Sequence, residues 1–426
     1  MAETIIHKII ARAAKLPSVN SGDIVTAEVD LAFAHDSSGP RRWQPLMDEV
    51  GIGLKDPDKV AIVTDHYVPA VDADSAEILR LSRQFASDHK VNSFFDMIGI
   101  VHVVLPEKGL IRPGAFVAGG DSHSPTGGAF GAYVAGYGAT DMFGIVTTGE
   151  TWLKVPRVVK LELNGRLSEG VVAKDLMLFL CRELGLDNAF TAFEFTGSAV
   201  DEMAMMERMV LSNMTTELGG EAGIIAPDQT TLDYLAAVGR PVEDEEAAVA
   251  LASDPDAEYD ASHTFDVGAL AAQVAAPHSP SNTKDADQFG DVAIDQAYIG
   301  ACVGAKLSDL QMAAKALEGR KVASGVRLLV APASQATLTV ATKDGTLETL
   351  TEAGAILLPS GCGACAGMGA GILAKGDVCI STTNRNFRGR MGHDEADVYL
   401  ASPYTVAASA VAGRITDPRE IIGGDS

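Results

Sequence analysis

The sequence predicts an α/β protein with largely parallel sheets, divided into three lobes. Short apolar runs alternate with helical patterns along the whole chain, the order produced when strands are joined by crossover helices. At 426 residues, 47% of them hydrophobic and 21% charged, the chain has length for about three domains. The clusters of polar, chemistry-bearing residues stand at the ends of apolar runs, where open α/β sheets place their ligands. Several strand ends from different lobes are therefore expected to share one cleft.

In chain order, Ile5, Ile6, Ile9, Ile10 and Ala13 fall on one helical face. Glu3, His7 and Lys8 interrupt any continuous signal core, so a structural helix of a cytoplasmic protein is expected. Residues 59–63 (KVAIV) read as a strand. Ile78, Leu81 and Phe85 follow at helical spacing, behind capping candidates Asp72 and Asp74. Further strands are expected at 99–105, 115–118, 158–163, 297–300, 326–330, 355–358 and 378–381. The apolar run 176–180 reads as a buried helix that continues into Cys181, and the last helical stretch is expected at 406–412. The Gly-rich tract 126–138 lacks a Gly-Lys-Ser/Thr phosphate-loop ending and is assigned to close packing. Residues 241–260 are acidic and Ala-rich, as in a solvated helix and loop. Residues 277–283 (PHSPSNT) read as a rigid crossing between lobes. Lobes over 1–155, 156–280 and 281–426 result.

Composition excludes some functions. Asp and Glu number 57 against 33 Lys and Arg, a formal net charge of −24. Such a surface repels polyanions, so nucleic acid and anionic membranes are poor partners. No apolar run reaches the roughly 18 residues of a membrane span. An anionic metabolite would need locally gathered cations. The five cysteines are odd in number and thinly spread, unlike a secreted disulfide framework.

Three groups of residues could carry chemistry. Cys362 and Cys365 form a Cys-x-x-Cys in a Gly-rich loop, and Cys302 stands in the Gly-containing turn 300–304. Three thiolates suit an iron–sulfur or a zinc site. A thioredoxin-like pair is a further reading, although the distant third cysteine has no role in it. Cys181 and Cys379 read as packed residues. The second group pairs acids with imidazoles: Asp65 precedes His66, Asp121 and His123 flank Ser122, and His102 ends an apolar run. Imidazoles held by carboxylates suit proton transfer to a leaving hydroxyl. The third group, Asn384 to Arg390 (NRNFRGR), gathers Arg385, Arg388 and Arg390 beside a glycine. Guanidinium groups so placed form a fork for carboxylates.

Taken in order, these motifs resemble the aconitase superfamily, and within it the large-subunit branch of the isopropylmalate dehydratases. The likeness rests on TDHYVP at 64–69, GIVH at 99–102, GDSHSP at 120–125, NMTTE at 213–217, the three cysteines, and NRNFRGR at 384–390. It implies three α/β/α lobes around a central cleft, and a 4Fe–4S cluster held by Cys302, Cys362 and Cys365 with one iron left open. It further implies His66, oriented by Asp65, as the acid for a departing hydroxyl. His102 would pair with Asp121 and His123 with Glu217, while Ser122, Asn384, Arg385 and Arg390 would contact substrate. The implied activity is a hydro-lyase acting on a small hydroxy-dicarboxylate. Isopropylmalate comes first, with 2,3-dimethylmalate, citramalate or maleate as alternatives. A zinc hydrolase built on the three cysteines and an RNA-binding regulatory relative are readings from other classes.

Because the sequence ends at Ser426, soon after its last helical stretch, the family's swivelling domain is expected on a separate small subunit. That partner would bring the serine base, and the isolated chain would be nearly inactive. The chain departs from the family pattern where Ala301-Cys302-Val303-Gly304-Ala305-Lys306 replaces Ser-Cys-Thr-Asn-Gly-Arg. Ala364 stands where Pro is usual, and Arg388 where an acid is common.

Overall fold

Apolar runs assemble into three sheets and a two-stranded ribbon in the computed structural model, which describes residues 2–423. Met1 and residues 424–426, Ser426 among them, lie outside the described residues. The first sheet has five parallel strands in the order Ser93–Asp96, Val60–Thr64, Leu31–His35, Phe116–Gly119, Tyr133–Gly136. Its three middle strands are buried at every residue, as strands covered on both faces must be. Helix Ile5–Ala14, capped by the Thr4 hydroxyl, buries the five residues of the expected face. Helix Ala73–Asp88 starts at Asp72, whose carboxylate accepts from the Ser75 amide.

The antiparallel ribbon pairs Ile24–Glu28 with Glu150–Lys154. The second sheet is parallel, in the order Ala222–Ile224, Thr191–Thr196, Arg157–Asn164, Ala261–Asp266. Helix Ala173–Leu184 buries Leu176, Met177, Leu178 and Cys181. The Gly-rich tract is a buried 3-10 segment, Ser124–Phe130, followed by Tyr133–Gly136. It meets the second sheet where the Ile225 amide donates to the Gly128 carbonyl at 3.1 Å.

The third sheet has seven strands in the order Thr283–Asp285, Gln273–Ala275, Asp397–Ala401, Val378–Ser381, Gln296–Ile299, Arg327–Val330, Ile356–Leu357. The last five are mutually parallel, and Gln273–Ala275 runs antiparallel to both of its neighbours. This topology corrects one expectation. Residues 277–283 join two antiparallel strands of one sheet, so they form a hairpin connection and not a crossing between lobes. Gln273–Ala275 finds its other partner in Asp397–Ala401, far along the chain, and local composition carries no trace of that pairing.

The run 99–105 is not a strand either. Helix Val101–Glu107 occupies it, and a short apolar run cannot be assigned by periodicity alone. Gly99, at φ +139°, turns the chain against the third lobe, and a β-carbon there would stand 2.6 Å from Ser334 Cα. The Ile100 amide donates to the Ala333 carbonyl and the Gln335 amide to the Ile98 carbonyl. His102 consequently lies on the first turn of a helix. No helix among the described residues is long and apolar enough to cross a membrane.

Candidate active site

Strand ends from two sheets deliver the polar residues to one place. In the first sheet, Leu31–His35 leads to Asp36, Val60–Thr64 to Asp65 and His66, and Phe116–Gly119 to Asp121, Ser122 and His123. In the third, Gln296–Ile299 leads to Cys302, Val378–Ser381 to Asn384 and Arg385, and Ile356–Leu357 to Cys362 and Cys365. The lobes touch at the cysteine loop, where the Cys362 amide donates to the Asp65 carbonyl at 2.9 Å. A β-carbon on Gly361 would come 2.8 Å from that same carbonyl oxygen, so only glycine lets the loop approach this closely.

Each imidazole is held by a carboxylate. His66 Nδ1 donates to Asp65 Oδ1 at 2.6 Å, and the second oxygen of Asp65 accepts from the Val101 amide at 2.8 Å. Burial works against the charged form of His66, but Asp65, Asp36 and Asp121 outweigh it and raise its pKa to about 9. Burial also opposes ionisation of Asp65, yet His66, His35 and the Val101 amide bring its pKa below the usual carboxylate value. His102 Nε2 lies 2.6 Å from Asp121 Oδ1, and His123 Nε2 lies 2.9 Å from Glu217 Oε1. Against burial, hydrogen bonds from His102, His123 and His35 hold Asp121 well below its ordinary value. Glu217 is likewise lowered despite burial, by His123, Arg385 and Lys174, and Arg385 Nε donates to it at 3.0 Å. At neutral pH the site thus contains a protonated His66 among ionised carboxylates.

Cys302 and Cys365 are buried and Cys362 is partly so. Burial pushes the Cys302 thiol up to about 12, with the charge of Cys365 next in importance. Cys362 is raised further by burial and by the charges of Asp65, Cys365 and Cys302. Thiols raised in this way, as in Cys302 and Cys362, become thiolates when a metal binds them. A lone tetrahedral zinc ion, with Zn–S near 2.3 Å, would draw its sulfurs to within about 3.8 Å of each other. Among the described residues, the His, Cys, Asp and Glu groups with ligand atoms all within 4.8 Å do not include this trio. Three thiols with a side-chain amide aimed at one of them fit an iron–sulfur site. The Asn213 side-chain amide donates to Cys302 Sγ at 3.1 Å, and Asn384 donates in turn to Asn213 Oδ1 at 2.5 Å. Such amide donors suit an anionic sulfur.

The remaining expected residues fall around this centre. Ser122 is exposed, and its carbonyl accepts from the Thr216 hydroxyl at 2.6 Å. The Arg390 guanidinium lies 5.5 Å over the Phe387 ring, and its buried Nε has no partner among the described residues. Lys306 is tied to Asp309 at 2.7 Å, so its charge is neutralised at the start of a helix.

Sequence reasoning missed three residues. The His35 ring stacks on His66 at 3.8 Å and 15°. His35 Nδ1 accepts from the Ser37 amide at 3.2 Å, and its Nε2 faces Asp121 Oδ2 at 3.6 Å. Asp36 accepts from the backbone amides of His66 and Tyr67 at 3.1 and 3.0 Å, fixing the turn that carries His66. The signal was present, since His35-Asp36 also ends an apolar run. Lys174 gave none, being embedded in an apolar helix. Its ammonium donates to the carbonyls of Thr382 and Thr383 at 3.1 and 2.6 Å, just before Asn384, and burial lowers its pKa to about 8.

Known proteins resemble this chain over nearly its whole length. The family model described as the aconitase family (aconitate hydratase) matches residues 7–289 and 282–413. The large subunit 1 of 3-isopropylmalate dehydratase from Methanopyrus kandleri is 45% identical, covering 98% of this chain and 99% of that protein. The large subunits of 3-isopropylmalate dehydratase from Heliobacterium modesticaldum and Aquifex aeolicus are 44% and 41% identical. They cover 99% and 100% of this chain and 100% and 99% of their own lengths. Among solved structures, the crystal structure of Thermococcus kodakaraensis aconitase X in its holo-form shares the fold, with a TM-score of 0.51 at 14% identity and 90% of each chain covered. With the family model matching residues 7–289 and 282–413, and relatives 41–45% identical over nearly the full chain, this chain belongs to the aconitase family.

Proposed function

We propose that this chain is the large subunit of a 3-isopropylmalate dehydratase, a hydro-lyase that interconverts 2- and 3-isopropylmalate through loss and re-addition of water. The observation that carries the reading is the meeting of the Asp65–His66 pair with the Cys362 loop across the boundary of two lobes. Full-length likeness to proteins bearing that name supports the choice of substrate. Cys302, Cys362 and Cys365 would hold a 4Fe–4S cluster, which when bound supplies a Lewis-acidic iron to polarise a hydroxyl group.

The chain's own residues do the rest. His66 gives its proton to the departing hydroxyl and recovers one on rehydration, while Asp65 stays ionised and keeps the ring oriented. Asp121 fixes His102 and Glu217 fixes His123 at the other wall. Arg385 engages Glu217 through Nε, and its NH₂ groups would pair with a substrate carboxylate. Arg390 supplies a second cation, and Asn384 braces the Cys302 side through Asn213. The base for the carbon-bound proton is assigned to a serine of a small subunit, a partner that the words "large subunit" in the relatives' names support.

The test is anaerobic reconstitution with iron and sulfide, then addition of the small subunit and a panel of hydroxy-diacids. Turnover of isopropylmalate by the pair and almost none by the large subunit is expected. A pair that processes 2,3-dimethylmalate, citramalate or maleate but not isopropylmalate would overturn the substrate. Protein retaining zinc and no sulfide would overturn the hydro-lyase reading.

A further inference from the structure

Strand Gln296–Ile299 runs inside the third sheet between Val378–Ser381 and Arg327–Val330. Its residue Tyr298 is completely buried, and the hydroxyl has no hydrogen-bond partner among the described residues. A buried hydroxyl left unpaired lowers stability, and a phenylalanine of the same shape would avoid that loss. The oxygen is directed toward the cysteine turns. A β-carbon on Gly363, inside the Cys362–Cys365 pair, would lie 3.7 Å from it, and one on Gly300, two residues before Cys302, would lie 2.6 Å from it. Burial, followed by the charges of Cys365 and Cys362, keeps the phenol protonated. It is thus an O–H donor facing the turns that carry the cysteines, with no acceptor among the described residues.

The geometry points to Tyr298 as a positioning residue of the cysteine site, donating its O–H to a sulfur of the bound cluster, either thiolate or sulfide. The assignment rests on the cluster reading above. Hydrogen bonds to cluster sulfurs withdraw electron density, which favours the reduced state and protects against oxidative loss. The hydroxyl unpaired in the metal-free chain would acquire its acceptor when the cluster binds.

The test compares wild type with Tyr298→Phe, full-length and reconstituted anaerobically. The variant should load iron and sulfide, with a more negative midpoint potential and at least a twofold shorter cluster half-life in air. Fe–S stretching bands should lose the shift that wild type shows on transfer to D₂O. The metal-free variant should melt at the same temperature as metal-free wild type or higher, because only an unpaired group is lost. Equal potentials, half-lives and deuterium sensitivity in a loaded variant would overturn the Tyr298 assignment alone. A lower melting temperature of the metal-free variant would overturn it too, by showing that the hydroxyl is satisfied within the chain. Wild type that retains no iron and sulfide would overturn the cluster reading and this assignment together.

Discussion

Between Asp65 and Asp36 the His66 imidazolium survives burial, and the sign of its effect on stability follows directly. Its folded pKa of about 9 lies above the ordinary 6.5. The stabilisation is therefore complete below about pH 6.5 and disappears as pH rises through 9, amounting to a few kcal/mol. Urea unfolding of the metal-free chain should show this decline, and His66→Asn should flatten it. In the reconstituted pair, the same substitution should reduce kcat by about 10²–10⁴-fold while iron and sulfide content stay unchanged. Parallel loss of iron would instead assign His66 a structural role. Residues of this kind are legible in sequence when two chemical groups adjoin, as in Asp65-His66. Lys174 and Tyr298 were not, because their significance lies in partners more than 60 residues away.

At the scale of elements, glycines and caps decide where chains can approach. Gly361→Ala would push a methyl group to 2.8 Å from the Asp65 carbonyl, so the cysteine loop must move away. Iron retention after anaerobic gel filtration should fall at least several-fold, with far-UV circular dichroism unchanged. Asp72→Ala makes a useful contrast. It removes the acceptor for the Ser75 amide at the start of Ala73–Asp88 and should cost about 1 kcal/mol in urea unfolding, leaving iron content intact. Most strands and helices were legible because alternation, apolar runs and capping residues are local. The helix Val101–Glu107 was not, since a short run such as 99–105 fits either state until its neighbours are known. The hairpin through 277–283 was missed because its outer partner, Asp397–Ala401, lies over 100 residues further on.

For the whole molecule, the charge of −24 makes the cationic loop at Arg385 and Arg390 an exception on an acidic body. The metal-free protein should give no salt-sensitive RNA gel shift at physiological ionic strength. A clear shift would revive the regulatory reading. Fold class and the strand-end placement of most of the polar residues were determined by sequence alone, because turn chemistry and periodicity are properties of adjacent residues. Tertiary structure alone decided that the Cys362 loop reaches Asp65, 297 positions away, and that His35 stacks on His66. Those facts depend on how separate sheets pack, and the free energy of packing is shared among residues that local sequence never brings together.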